Sequence, residues 1–203
     1  MSGKKTYHHG DLRQALVDEA IALIAEKDVS SLSLREVARR IGVSHAASYR
    51  HFEDKEALLA AVAQEGFMGL TKALNTALDV AESHSLRRLE AIGVRYVQYA
   101  IAHPSHYRVM FGADRGNPDK YPSLEQAGKQ AFGVLVNAIE AGQIAGAIRS
   151  GETQQLAWVA WSLVHGLAML LMDGQLSLCN TKEVESLATF VTETLVRGLA
   201  LHH

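Results

Sequence analysis

A chain of 203 residues, 48% of them hydrophobic and 6% aromatic, has enough apolar material for one or two domains with a real core. A net charge of -2 excludes a uniformly basic protein, so any contact with nucleic acid must come from a local patch. Apolar stretches such as Leu167 to Met172 fall far short of a membrane span, and Met1 to Gly10 lacks the apolar segment of a signal peptide, which points to a cytoplasmic protein.

The first predicted helix runs from Asp11 to Lys27, with Leu12, Ala15, Leu16, Ala20, Leu23 and Ile24 on one face. Ser33 followed by Glu36 reads as a capping box that starts a second helix. Leu34, Val37, Ala38 and Ile41 form its apolar stripe, and Arg35, Arg39 and Arg40 fall outside it. Gly42 supplies the left-handed residue that ends this helix, and Val43 can anchor the turn inward. Ser44 can cap a third helix, from about His45 to Phe52, small at its start and then aromatic and basic.

A helix from Lys55 to about Glu82 follows, with Asp54 as its cap, and another runs from Ser85 to about Ile101 until His103-Pro104 stops it. Tyr107 to Phe111 reads as a short helix, and Gly112 to Pro122, with Gly116-Asn117-Pro118, as the clearest loop. Helices are expected from Ser123 to about Ala141, from Thr153 to Met172 and from Lys182 to Leu201, with a turn-rich link from Gly142 to Gly151. No strand pattern and no internal repeat is visible, so the fold class is all-α.

The stretch from Ser33 to Phe52 has the outline of a helix-turn-helix, whose second helix enters the DNA major groove. Two short helices joined by a glycine turn also occur in many all-α proteins, so the pattern alone leaves both readings open. Residues 1–56 carry nine Lys+Arg against nine Asp+Glu, and the bases Lys4, Lys5, Arg35, Arg50 and Lys55 fall at the amino arm and around the third helix. A basic face on a neutral domain is therefore possible, with an affinity that falls steeply with salt.

Tyr7 to Val62 resembles the amino-terminal domain of the tetracycline-repressor (TetR) family of bacterial transcription regulators, through REVARRIGVSHAASYRHF and the following DKEALLAAV. Trp161-Ser-Leu-Val-His165-Gly166 is similar to the signature of its Trp-His-Gly subfamily. The resemblance implies a three-helix helix-turn-helix domain over residues 1–56 and a larger helical bundle over 57–203 for ligand binding and dimerisation. It implies that His45, Ala46 and Ala47 lie where the family meets base edges, with Ser44 beside them at the DNA, and that Tyr49, His51 and Lys55 match positions that hold phosphates. Arg35 matches a position able to reach a base or a phosphate. Ser48 departs from the family, which usually has an apolar residue or proline there, and this puts the packing of the third helix in question.

The resemblance also implies a homodimer through the last two helices. A dimer has a physical motive, since two reading heads can address half-sites about 34–36 Å apart on one DNA face. The aromatic and histidine content of Phe67, Tyr96, Tyr99, His103, Tyr107, Phe111, Phe132, Trp158, Trp161 and His165 suits a chamber for a small apolar effector, although stripes like these are more often plain core than pocket. The expected function is a ligand-responsive regulator, a repressor released from a palindromic DNA operator. The alternative is a helical small-molecule-binding or adaptor protein without DNA function.

An enzyme is not expected, because nucleophile-elbow, phosphate-loop, dinucleotide and His-Glu-x-x-His motifs are all missing. Among ten histidines, His103 and His106 are the best-spaced pair, yet no carboxylate or cysteine stands at matching spacing, so neither metal nor cofactor is expected. The single cysteine, Cys179, excludes an internal disulfide and agrees with a reducing compartment; it reads as an inert loop residue or a sensing thiol.

Overall fold

The computed structural model describes residues 9–81, 84–113, 115–117, 119–176 and 180–199. Lys4, Lys5, His8 and Cys179 lie outside them. Among the described residues there are nine helices and no strand: α1 (His9–Glu26), α2 (Leu34–Arg40), α3 (His45–Tyr49), α4 (Lys55–Val80), α5 (Ser85–Ala102), α6 (Pro104–Phe111), α7 (Pro122–Ile144), α8 (Thr153–Met172) and α9 (Thr181–Leu199). The chain packs into two compact units, one of residues 1–66 with 105–126 and one of 67–104 with 127–203. The amino-terminal unit thus takes in more than residues 1–56, adding the start of α4, the whole of α6 beyond its first residue, and the start of α7.

In the amino-terminal unit the apolar face of α1, with Leu12, Leu16, Ala20, Leu23 and Ile24, is buried together with Leu34, Val37 and Ala38 of α2. All six residues from Leu58 to Ala63 are buried, so this end of α4 is enclosed on every side instead of lying along one. Gly66 completes the packing of α6, since an added Cβ would come within 2.5 Å of the Met110 Sδ.

In the second unit α5 packs on both α8 and α9, which pack on each other. Leu89, Ile92, Tyr96 and Tyr99 give α5 its buried face, and each fully buried side chain of this size stabilises by about 1.5–3 kcal/mol. Gly93 permits the close approach of α9, because a Cβ there would meet the Thr192 methyl at 2.5 Å.

Three expectations need correction. The third helix ends at Tyr49, not near Phe52, because the Ser48 carbonyl accepts from both His51 and Phe52 N–H groups and closes the chain into a tight turn. α6 begins at Pro104, where a proline suits the first helical position and is no obstacle. α7 runs through Gly142 to Ile144, and the space a Cβ would fill at Gly142 is taken by Ile148, which folds back on the helix. One further point concerns α8: it is long and apolar enough to cross a membrane by length and composition, although Leu156, Ala157, Ala160, Val164, Leu167 and Ala168 are buried in its unit.

Candidate nucleic-acid interface

The α2–α3 pair is set by its caps. Ser33 Oγ accepts from the Glu36 N–H at 3.2 Å, as half of a capping box. The other half is replaced: the Glu36 carboxylate accepts from Arg39 at 2.7 and 2.8 Å. At the far end, Gly42 has φ +74, and the N–H groups of Val43 and Gly42 donate to the carbonyls of Ala38 and Arg39. That is a Schellman closure, which fixes the exit direction of the chain. Ser44 then caps α3, accepting from Ala47 N–H at 3.2 Å.

Ser48 resolves the packing question raised by its polarity. It is fully buried, and its hydroxyl donates to the His45 carbonyl at 2.8 Å, so the polar atom is satisfied within α3 itself. Phe52 is buried just beyond, with the Arg13 guanidinium 5.1 Å from its ring centroid.

These contacts leave one side of the motif open. Arg35, Ser44, His45, Ala46 and Tyr49 are exposed, Tyr49 by 49%, whereas Ala47, His51 and Lys55 are half-buried. Ser44 is committed to its cap. Lys55 is also committed: its ammonium donates to the carbonyls of Val29 at 2.8 Å and Ser30 at 3.0 Å, which spends two of its three donors on the α1–α2 connection.

Sequence reasoning missed a second lock. Arg40 donates to Glu26 at 2.8 Å and Glu19 at 3.3 Å on α1, and approaches Glu36 at 3.5 Å. Hydrogen bonding from Arg40 holds the Glu26 carboxyl below the ordinary carboxylate range, and that from Arg39 brings Glu36 down to about 2. An arginine just outside an apolar stripe, with glutamates seven residues apart on the preceding helix, is a signal that could have shown this.

The ten ligand candidates are divided between the two units, with Tyr107 and Phe111 in the first and the other eight in the second. Tyr96, Phe132, Trp161 and His165 gather in the second unit. The Trp161 indole N–H donates to the Tyr96 hydroxyl at 3.1 Å, and that hydroxyl lies 2.9 Å from His165 Nδ1. Phe132 meets Trp161 edge-on with centroids 5.8 Å apart. Burial pushes the His165 imidazole toward its neutral form. Tyr99 is buried against His103 at 4.5 Å, and Phe67 is buried near Gly128. Tyr107 and Phe111 meet in the amino-terminal unit with their rings tilted by 55° and centroids 4.8 Å apart, and Trp158 stands 53% exposed on α8. His106 approaches Glu65 at 3.5 Å, and no metal-type cluster of three or more side chains occurs among the described residues.

Residues 16–62 match the model of bacterial regulatory proteins of the tetR family, and residues 89–195 match that of the tetracyclin repressor-like C-terminal domain. An uncharacterized HTH-type transcriptional regulator of Haemophilus influenzae is 46% identical over 70 residues, 34% of this chain and 34% of that protein, so the match spans about a third of the relative's length. A solved protein of unknown function from Rhodococcus sp. RHA1 is 38% identical, with TM-score 0.85 over 97% of this chain and 100% of that one. A tetR-family regulatory protein from Rhodococcus RHA1 shares the fold, with TM-score 0.74 at 22% identity over 94% of this chain and 98% of that one. The carboxy-terminal match alone spans more than half of the 203 residues, and the amino-terminal match covers the capped helix pair. The chain belongs to the tetR family of bacterial regulatory proteins, a family of non-enzymatic, DNA-binding transcription regulators.

Proposed function

We propose that this chain is a cytoplasmic, homodimeric repressor that binds a palindromic operator and is released from it by a small, largely apolar molecule. The observation that carries the reading is the helix pair itself, capped at Ser33, closed at Gly42 and capped again at Ser44, with His45 and Ala46 exposed at the start of α3. His45 hydrogen-bonds a base edge, and the Ala46 and Ala47 methyls meet thymine methyl groups. Ser44 and Arg35 flank this strip. Tyr49, His51 and the remaining donor of Lys55 hold the phosphate backbone.

Dimerisation uses the outer side of α8 and α9, where Trp158, Val159, Leu163, Leu170 and Phe190 are all more than two-fifths exposed. An apolar surface of this kind on two adjacent helices marks an interface. The effector contacts the Tyr96, Trp161 and His165 group, where a neutral imidazole suits an uncharged ligand better than an acid. Its binding shifts α4, which runs on from the reading helix, with a coupling of about 1–3 kcal/mol.

Selection of duplexes from a random pool by the purified protein tests this. Enrichment of a palindrome is expected; a pool that stays unenriched would return the protein to a helical binding or adaptor role without DNA function.

A further inference from the structure

Between α6 and α7 the chain returns to the start of α4, sixty residues away in sequence. The Asn117 N–H donates to Glu56 Oε1 at 2.9 Å. The Lys120 ammonium lies 3.2 Å from Asp54 Oδ2 and 3.5 Å from Glu56 Oε2. Asn117 also organises its own turn, accepting from Asp119 N–H on its side chain and from Lys120 and Tyr121 N–H groups on its carbonyl. Gly116, with φ +89, lets the backbone lie directly on α4: a Cβ there would stand 3.2 Å from the Ala60 Cβ and from the Tyr121 ring. All these residues belong to the amino-terminal unit.

Their partners surround a critical point. Asp54 caps α4, accepting from Ala57 N–H at 2.7 Å, and Lys55 and Glu56 are the first two helical residues. Residues 54, 55 and 56 therefore bind, in turn, Lys120, the carbonyls of Val29 and Ser30, and Lys120 with Asn117. A helix N-terminus attracts phosphate through its free N–H groups and dipole. The carboxylates of Asp54 at the cap and Glu56 in the first turn oppose that attraction. Hydrogen bonding from the Ala57 N–H, then from Lys120, keeps Asp54 ionised.

We infer that Gly116, Asn117 and Lys120 form a latch for DNA binding, in which Lys120 offsets part of the charge of Asp54 and Glu56 and, with Asn117, positions the phosphate-facing end of α4. Exposed ion pairs of this kind contribute little to folding stability, so the consequence belongs to the DNA-bound state. The inference rests on the proposed phosphate contact at Lys55.

Binding of the full-length protein to a mixed-sequence DNA duplex, followed across a salt series, tests the latch without knowledge of the operator. Lys120→Gln should bind about twofold to tenfold more weakly at low salt, the gap should close as salt rises, and Lys120→Arg should restore affinity. In a Glu56→Gln background the same Lys120→Gln change should cost less, because one of the two exposed charges is gone. Wild-type binding by Lys120→Gln at all salt concentrations overturns the latch alone, as does an undiminished loss in the Glu56→Gln background. Absence of binding by the wild type overturns both the latch and the DNA-binding reading beneath it. Thermal melting of each variant separates loss of fold from loss of contact.

Discussion

Both units have apolar cores, but they differ in what sets the ends and positions of their helices. In the amino-terminal unit, helices of seven and five residues are too short to persist alone, and polar contacts specify where each begins and ends: Ser33, Gly42, Ser44, Arg40 and Lys55. In the second unit, helices of eighteen to twenty residues are fixed by apolar faces, with α5 against α8 and α9. The first arrangement leaves a polar strip in a defined geometry. The second leaves surplus apolar surface, and surplus apolar surface is what a symmetric partner or an effector can use.

That comparison can be broken most severely at the apolar faces. Ile92→Ala, on the buried side of α5, should destabilise the protein by about 2–5 kcal/mol in denaturant titration, whereas Phe190→Ser, 65% exposed, should change monomer stability little. Sedimentation should instead show Phe190→Ser shifted toward monomer. Equal destabilisation by both would mean that the outer side of α9 is core.

The caps come next. Gly42→Ala places a side chain at φ +74 with nothing within 4 Å of the new Cβ, so its cost is purely conformational, about 1–2 kcal/mol. Ser44→Ala removes the α3 cap for about 0.5–2 kcal/mol. Both should lower the melting temperature and weaken DNA binding. A cap variant that melts early yet binds normally would separate the geometry of α3 from its function.

The smallest effect concerns acid. Glu36 is held down to about 2, against an ordinary 4.5, chiefly by its hydrogen bond from Arg39. A depressed folded-state value means that its stabilisation is fully present above about pH 4.5 and is lost as pH falls toward 2. Glu36→Gln should therefore flatten that part of the pH–stability curve. Partial exposure of the pair keeps the change modest.

Legibility in the sequence followed the same division. Ser33, Gly42 and Ser44 act within a few residues of themselves, so spacing alone was enough to place both caps and the left-handed closure. Ser48 stood out as a departure, and its resolution was local too, a hydroxyl bonded three residues back. Contacts across the chain were not legible. Gly116-Asn117 read only as a loop, because nothing in a local window shows that it docks on Glu56. Lys55 read as a free base, while its ammonium is largely taken up by Val29 and Ser30. On α8, whose residues are apolar almost throughout, Val164 and Ala168 are buried while Trp158 and Met169 are exposed. An apolar pattern shows that a side chain leaves water without showing whether its own chain, a ligand or a second copy covers it.

The central claim is that α3 reads bases at its start and holds phosphates at its end. Affinities of His45→Ala and Tyr49→Phe for the selected palindrome, and for its single-base variants, test this directly. His45→Ala should cost about 1–3 kcal/mol and lose preference at one position in each half-site, while Tyr49→Phe should weaken every duplex alike and keep the preference intact. Unchanged preference in His45→Ala would contradict the account.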